Sequence, residues 1–423
     1  MFYTFHEIYW KRRNLPPGPY PWLLAGNMPQ VLLHPNNLDQ LFLKWKQKYG
    51  GVFTFWMGPY PIVMVGDVDK MKLYFVRHAD VFTGSGELVE LVVIQNCLGG
   101  HNGIVQVQGE KWREQRRFTL HTLRDFGLGR SSMQHNILTQ VDSLIHHFQS
   151  QIPNQSSIED DASFVQLQAM LGQQSSLVTR PIMGLYLTLP ITVHIPWLNS
   201  SWLKLIQIRD NLWDFLERQI QEHKVAFHST QPATDFTFAY LLEMHKRKHD
   251  SQEDMDIQHK CQIELDGVDG CRVELRHRPR LNYLQATLLE IQRVANILPI
   301  NLLRTCTQSI QLDGYHYPKD TMVLPQVSIA MNDPSNFNRP HLFQPERFLN
   351  VKTNSLNKPE AFLPFSLGKR QCLGESLAKA ELFLILANLL KQFEFELDVE
   401  SRGRPLSKDN MVLRCHQNHS IVW

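Results

Sequence analysis

The six cysteines of this 423-residue chain, at 97, 261, 271, 306, 372 and 415, form no CxxC pair. Their scatter argues against a zinc ribbon or a disulfide framework and for a reducing, cytosol-facing location. Charge of one sign is lacking too: 43 Lys and Arg stand against 41 Asp and Glu, which leaves no bulk case for nucleic-acid binding. Long hydrophobic runs are missing as well. Met1 to Trp10 is aromatic and apolar but too short to span a bilayer or form a signal core, and the most apolar stretch, 182–198, is interrupted by Pro190 and Pro196. That stretch is either core or a surface patch that dips into a membrane. What remains is globular in character: hydrophobic residues make up 43% and charged ones 20%, in a chain long enough for one large domain or two to three ordinary ones.

After Trp10 come Lys11, Arg12 and Arg13, then LPPGP from Leu15 to Pro19. Basic residues behind an apolar segment read as a cytoplasmic flank, and the prolines set a stiff, extended exit; an ordinary surface tail fits these residues equally well. Val52–Trp56 and Ile62–Val65, separated by MGPYP, read as a β-hairpin. Residues 84–103 mix glycine with short apolar runs and read as a loop with a little helix. GEKWREQRRF follows at Gly109–Phe118, with Trp112 and Arg116 four apart on one helix face; Lys111, Arg113 and Arg117 make a positive patch. Helical patterns run over about 137–176, 203–227 and 282–298, and Glu290 and Arg293 can touch within the last. Asp313–Gly314 marks another hairpin, TMVLPQVSIAMNDP reads as a strand and a turn, and ESLAKAELFLILANLLKQF as a buried helix. Strands are expected over the last thirty residues.

One stretch organises the rest: Phe365–Gly374, FSLGKRQCLG, leading directly into that buried helix. Gly368 and Gly374 permit a tight loop that presents the sulfur of Cys372 just before a helix begins. Helix-terminal N–H groups and the helix dipole favour a thiolate there, and backbone donors aimed at a metal-bound sulfur tune the metal's potential. Arg370 is placed to meet an anion on the same side. A lone loop cysteine is more often a small buried hydrophobe, but the full pattern changes the odds.

At the spacing FxxGxRxCxG, Phe365, Gly368, Arg370, Cys372 and Gly374 closely resemble the haem-ligand signature of the cytochromes P450, the haem-thiolate monooxygenases. WREQR, the Glu290–Arg293 ExxR and PERF with Arg347 follow the same family's order. The resemblance implies a mainly α fold, a helical prism with small β-sheets around a buried haem b (iron protoporphyrin IX). Cys372 would ligate the iron and be the catalytic centre, with Phe365, Gly368, Arg370 and Gly374 shaping its loop. Trp112 and Arg116 would meet the haem propionates, Arg304 would add another propionate contact, and Glu290, Arg293 and Arg347 would form a buried structural cluster.

The implied reaction inserts one oxygen atom from O2 into a small apolar organic substrate. Electrons would come from NADPH through NADPH–cytochrome P450 reductase docking on the basic patch. The implied layout is a remnant of a membrane anchor and basic flank at 1–13 and a single haem domain at 14–423, with a proline-rich hinge at 14–20. The implied location is the cytoplasmic face of the endoplasmic reticulum membrane with peripheral membrane contact, or the cytoplasm, since the anchor looks truncated. One departure stands out. The family's central helix, with its (Ala/Gly)-Gly-x-(Asp/Glu)-Thr proton-delivery kink, has no counterpart in the sequence, and the charged strip HKRKHDSQEDMD runs almost directly into the segment that should follow it. A haem-binding or inactive remnant is therefore a second expectation, and a haem-free helical scaffold that binds lipid a third.

Overall fold

The computed structural model describes residues 11–22, 25–34, 38–84, 104–105, 107–125, 131–151, 190–225, 251–270, 272–298, 300–350, 352–397 and 411–415, with single positions at 170, 173, 177 and 186. In chain order, helix α1 (Leu38–Tyr49) leads into strands β1 (Val52–Met57) and β2 (Tyr60–Val65). Helices α2 (Gly109–Asp125), α3 (Ser131–Gln151), α4 (Ser200–Val225), α5 (Ser251–Asp266) and α6 (Asn282–Ala295) follow. Then come β3 (Arg304–Thr305), β4 (Ile310–Leu312), β5 (Tyr315–Tyr317), β6 (Met322–Pro325), α7 (Val327–Asn332), α8 (Glu375–Gln392), β7 (Phe393–Leu397) and β8 (Met411–Cys415). The fold is mainly α with small sheets.

Local chemistry sets most of these elements. Gly58, at φ 61°, takes the first central position of a two-residue turn, so Met57 pairs with Tyr60 and the β1–β2 register is fixed. Asp313 and Gly314 both have positive φ, 53° and 79°, as a primed turn between β4 and β5 demands. The main sheet runs β1-β2-β6-β3, with β2 and β6 parallel. Both its faces are covered. Phe53, Phe55 and Met64 pack on Leu41, Phe42 and Trp45 of α1, while Val63, Val65 and Val323 face Tyr74 and Phe75.

Helix α8 is apolar around most of its circumference, which stabilises it only at the centre of a bundle. There, Phe383, Leu384 and Ala387 pack with Val141 and Ile145 of α3, Cys261 and Leu265 of α5, and Leu284 and Leu288 of α6. Full burial of each large apolar side chain contributes roughly 1.5–3 kcal/mol, so this helix is the firmest mount the chain offers for the loop that precedes it. Asn296, at φ 36°, ends α6 in the left-handed region.

Two regions differ from the sequence reading. Residues 327–332, within the run expected as a strand and a turn, form the short helix α7, whose Val327, Ser328, Ile329, Ala330 and Met331 are all buried; tertiary packing decides this run rather than its β-branched residues. Helix α5 begins at Ser251, so SQEDMD of the charged strip, to which the sequence reading assigns no element, is helical.

The proline-rich stretch lies along β1. Pro17 O accepts from Thr54 N at 3.0 Å, and a Cβ on Gly18 would sit 1.8 Å from Thr54 O. Arg12 fastens it, donating to Gly18 O at 2.7 Å with its guanidinium 3.6 Å from the centre of the Tyr20 ring. The outer edge of the sheet is thereby covered. Most of the loop expected at 84–103, the early part of 182–198 and the strip 245–250 lie outside the described residues. Among the described residues no helix is long and apolar enough to cross a membrane.

Candidate active site

The loop before α8 is folded by two backbone hydrogen bonds, Gln371 N to Gly368 O at 3.0 Å and Cys372 N to Phe365 O at 3.1 Å. Gly368 has φ 75°, and a Cβ there would lie 1.9 Å from Phe75 O, so no side chain fits. Gly374 is the N-cap of α8 and accepts from Ala378 N at 2.9 Å; a Cβ on it would lie 4.0 Å from Cys372 Sγ. The sulfur therefore sits just ahead of a helix N-terminus, where N–H groups and the dipole favour negative charge. Glu375 ties the loop to the first turn through Gln371 and through Lys379 at 2.5 Å, and the Lys379 ammonium lies 5.8 Å from the centre of the half-buried Phe365 ring.

Three cysteines among the described residues have free thiols, and they differ sharply. Cys261 and Cys306 are buried, and burial pushes each thiol up to about 12. Cys372 is exposed. It alone of the three offers a sulfur to something packed against it. Among the described residues no group of three or more His, Cys, Asp or Glu is placed to hold a metal ion, so a metal at Cys372 would bring most of its ligands with it, as a porphyrin does.

Around this loop stand three arginines from three parts of the chain. Arg116, on α2, donates to Gln371 O at 3.0 Å. Arg304, on β3 and 4% exposed, donates to Ser366 Oγ and to Leu367 O at 3.0 Å each and lies 4.6 Å from the centre of the Phe75 ring. Arg370 donates to Thr83 O, Ile104 O and Val107 O, with its guanidinium 4.1 Å from the ring centre of the buried Trp112. Burial lowers the pKa of all three: Arg304 to about 9 with added repulsion from Arg370, and Arg370 to about 10 with added repulsion from Arg116; for Arg116 the neighbouring Cys372 opposes the shift.

Among the described residues none of the three has a carboxylate within ion-pair distance. Desolvated cations without a counter-ion are costly. Two carboxylates arriving beside Cys372 would relieve that cost, and this is the charge pattern that haem propionates carry; the donor set fits the group.

A second arginine cluster is closed. Glu290, fully buried, accepts from Arg293 Nε and Nη2 at 2.8 Å each, from Arg347 Nε at 3.1 Å and from Gln344 N at 2.9 Å. Arg293 also donates to Met331 O at 3.1 Å, and Arg347 to Asn338 O at 2.8 Å. Phe348, next to Arg347, meets Phe362 edge-on at 5.1 Å, in the same buried cluster as Leu367 of the cysteine loop.

The sequence reading did not single out Phe75, whose carbonyl abuts Gly368 and whose ring lies beside Arg304, nor Gln371, nor the carbonyls that hold Arg370. Backbone acceptors leave no residue signature, and Phe75 is some 290 positions away. The basic patch borders the site: Arg113, Arg116 and Arg117 line an open cleft of about 490 Å³ with Trp112 and Lys369. Lys369 pairs with Asp80, and Arg113 with Glu110 at 3.0 Å.

The family described as Cytochrome P450 matches this chain at residues 16–163 and 252–423. Among curated relatives, the chain is 30% identical to cytochrome P450 2B2 of Rattus norvegicus over 473 positions, covering 97% of this chain and 94% of that protein. It is 30% identical to cytochrome P450 2H2 of Gallus gallus, covering 91% and 88%, and 29% identical to cytochrome P450 2D10 of Mus musculus, covering 90% and 86%. The alignment with the first runs over more positions than the 423 residues here, so it opens gaps in this chain, and the family match itself breaks between 163 and 252.

Proposed function

This chain belongs to the cytochrome P450 family of haem-thiolate monooxygenases, and on that premise we propose that residues 14–423 form one haem domain that hydroxylates or otherwise oxygenates a small apolar organic substrate. The observation that carries the reading is the set of three guanidiniums, Arg116, Arg304 and Arg370, that lack carboxylate partners among the described residues and converge on the loop of an exposed thiol.

Cys372 would supply the thiolate that holds the haem, and Arg116, Arg304, Arg370 and Trp112 would hold the two propionates. Glu290, Arg293 and Arg347 would keep the loop in place. When bound, haem would supply the oxygen-activating chemistry, which a thiolate ligand favours. Gly368 and Gly374 keep the sulfur accessible, and α8 fixes its position. The basic residues Lys111, Arg113 and Arg117 on α2 suit an acidic electron donor, and we assign that role to NADPH–cytochrome P450 reductase. Exposed Tyr20, Trp22 and Trp197 are of the kind favoured at a membrane interface, which supports peripheral contact with the endoplasmic reticulum membrane.

The test is spectroscopic. Protein supplied with hemin, reduced under carbon monoxide, is expected to show the red-shifted Soret band of a thiolate ligand, and Cys372→Ser is expected to abolish that band while leaving the fold intact. An unchanged band in the variant would exclude Cys372 as ligand.

A second reading is favoured by the gapped alignment and by the missing proton-delivery motif: a haem-binding remnant without monooxygenase activity. Oxygen and NADPH consumption without oxygenated product, in the presence of reductase, would support it.

A further inference from the structure

We propose that Arg370 is also a positioning residue, a clamp that joins both ends of the segment between Thr83 and Val107 and fixes them to the cysteine loop. Its Nε donates to Thr83 O at 2.9 Å, Nη1 to Ile104 O at 3.3 Å and Nη2 to Val107 O at 2.9 Å. The first acceptor precedes residues 85–103 in the chain, and the other two follow them. One planar side chain thus ties together points more than twenty residues apart.

The donor count makes this compatible with an anion. A guanidinium has five N–H groups in a fixed fork; three are directed at carbonyls and two remain. A lysine ammonium has three donors on one atom, so it cannot serve three separated carbonyls and an anion together. The Trp112 ring, 4.1 Å from the guanidinium, holds its plane.

The near end of the segment has an anchor of its own. Gly84 and Thr305 exchange both backbone hydrogen bonds, at 3.2 and 2.8 Å, and Arg304, the residue before Thr305, bonds Ser366 and Leu367. Thr83, Gly84, β3 and the cysteine loop are therefore one unit. Arg370 adds the far end, and α2 starts at Gly109, two residues beyond Val107. The clamp consequently sets where Trp112 and Arg116 stand relative to Cys372. This goes beyond the cofactor contact proposed for Arg370 and holds whether or not haem binds.

Native-state hydrogen exchange on the full chain, wild type and Arg370→Lys, tests it, with haem content measured separately. In the wild type, the amides of Gly84, of Arg113 in the first turns of α2 and of Cys372 are expected to open together with one denaturant dependence. In the lysine variant, exchange at Gly84 and Arg113 is expected to rise about tenfold or more, the scale of losing charge-assisted hydrogen bonds, while Gln344 at the Glu290 cluster is unchanged. Exchange at Gly84 and Arg113 within about twofold of wild type would overturn the clamp, as would independent opening of Arg113 and Cys372 in the wild type. A variant that unfolds outright raises exchange at Gln344 as well, and the wild-type result then decides. Loss of haem with unaltered exchange would count against the clamp and leave the cofactor reading standing.

Discussion

The two arginine clusters use the same side chain and reach opposite electrostatic ends. At Glu290 a carboxylate sits between two guanidiniums, its oxygens taken up by Arg293, Arg347 and the Gln344 amide. At the cysteine loop Arg116, Arg304 and Arg370 lean on carbonyls, a hydroxyl and aromatic rings, and they repel one another. The first arrangement is complete, and its partners belong to the chain. The second has no carboxylate partner among the described residues. Buried like charges mark a ligand site more clearly here than a cavity does, because folding alone would not gather them.

Making the first cluster resemble the second should have the largest effect. Glu290→Ala leaves Arg293 buried without a counter-ion and is expected to cost about 3–5 kcal/mol, read from urea denaturation; a loss below about 1 kcal/mol would mean the cluster is not load-sharing in the folded state. Removing a cation from the second cluster should do the reverse. Arg304→Met, similar in volume and uncharged, is expected to leave the haem-free chain equally stable or more stable, and to weaken hemin binding about tenfold or more, the scale of one charge-assisted hydrogen bond. Hemin titration alongside denaturation of the haem-free chain measures both; destabilisation without a change in hemin affinity would make Arg304 structural. The smallest expected effect is from a surrogate anion. Succinate at ten times its dissociation constant should stabilise the haem-free chain by about 1.4 kcal/mol, and Arg304→Met should reduce that gain while Arg113→Ala, on an exposed ion pair, leaves it alone.

Sequence pattern carried the local part of this picture. The hairpin turns at Gly58 and Asp313–Gly314, the i, i+3 contact of Glu290 and Arg293, and the apolar surface of α8 all follow from neighbours in the chain. Motif spacing named Trp112, Arg116 and Arg370, and the family resemblance added Arg304; these side chains lie at or beside the loop of Cys372. What they touch was not legible. Arg116 bonds the carbonyl of Gln371 and Arg370 those of Thr83, Ile104 and Val107, acceptors that every residue type carries. Packing, not propensity, makes a helix of 327–332 and lays Pro17 and Gly18 on β1, because in both places the deciding contact comes from elsewhere in the fold.

The carbonyl of Phe75 leaves no room at Gly368 for even one methyl group. The turn holding Phe75 and the turn holding the sulfur meet like the two faces of a closed seam, with hydrogen as the only admissible gasket. A single added carbon would prise that seam apart and shift the backbone that leads to Cys372, so the aim of the thiol depends on a carbonyl from a distant part of the chain.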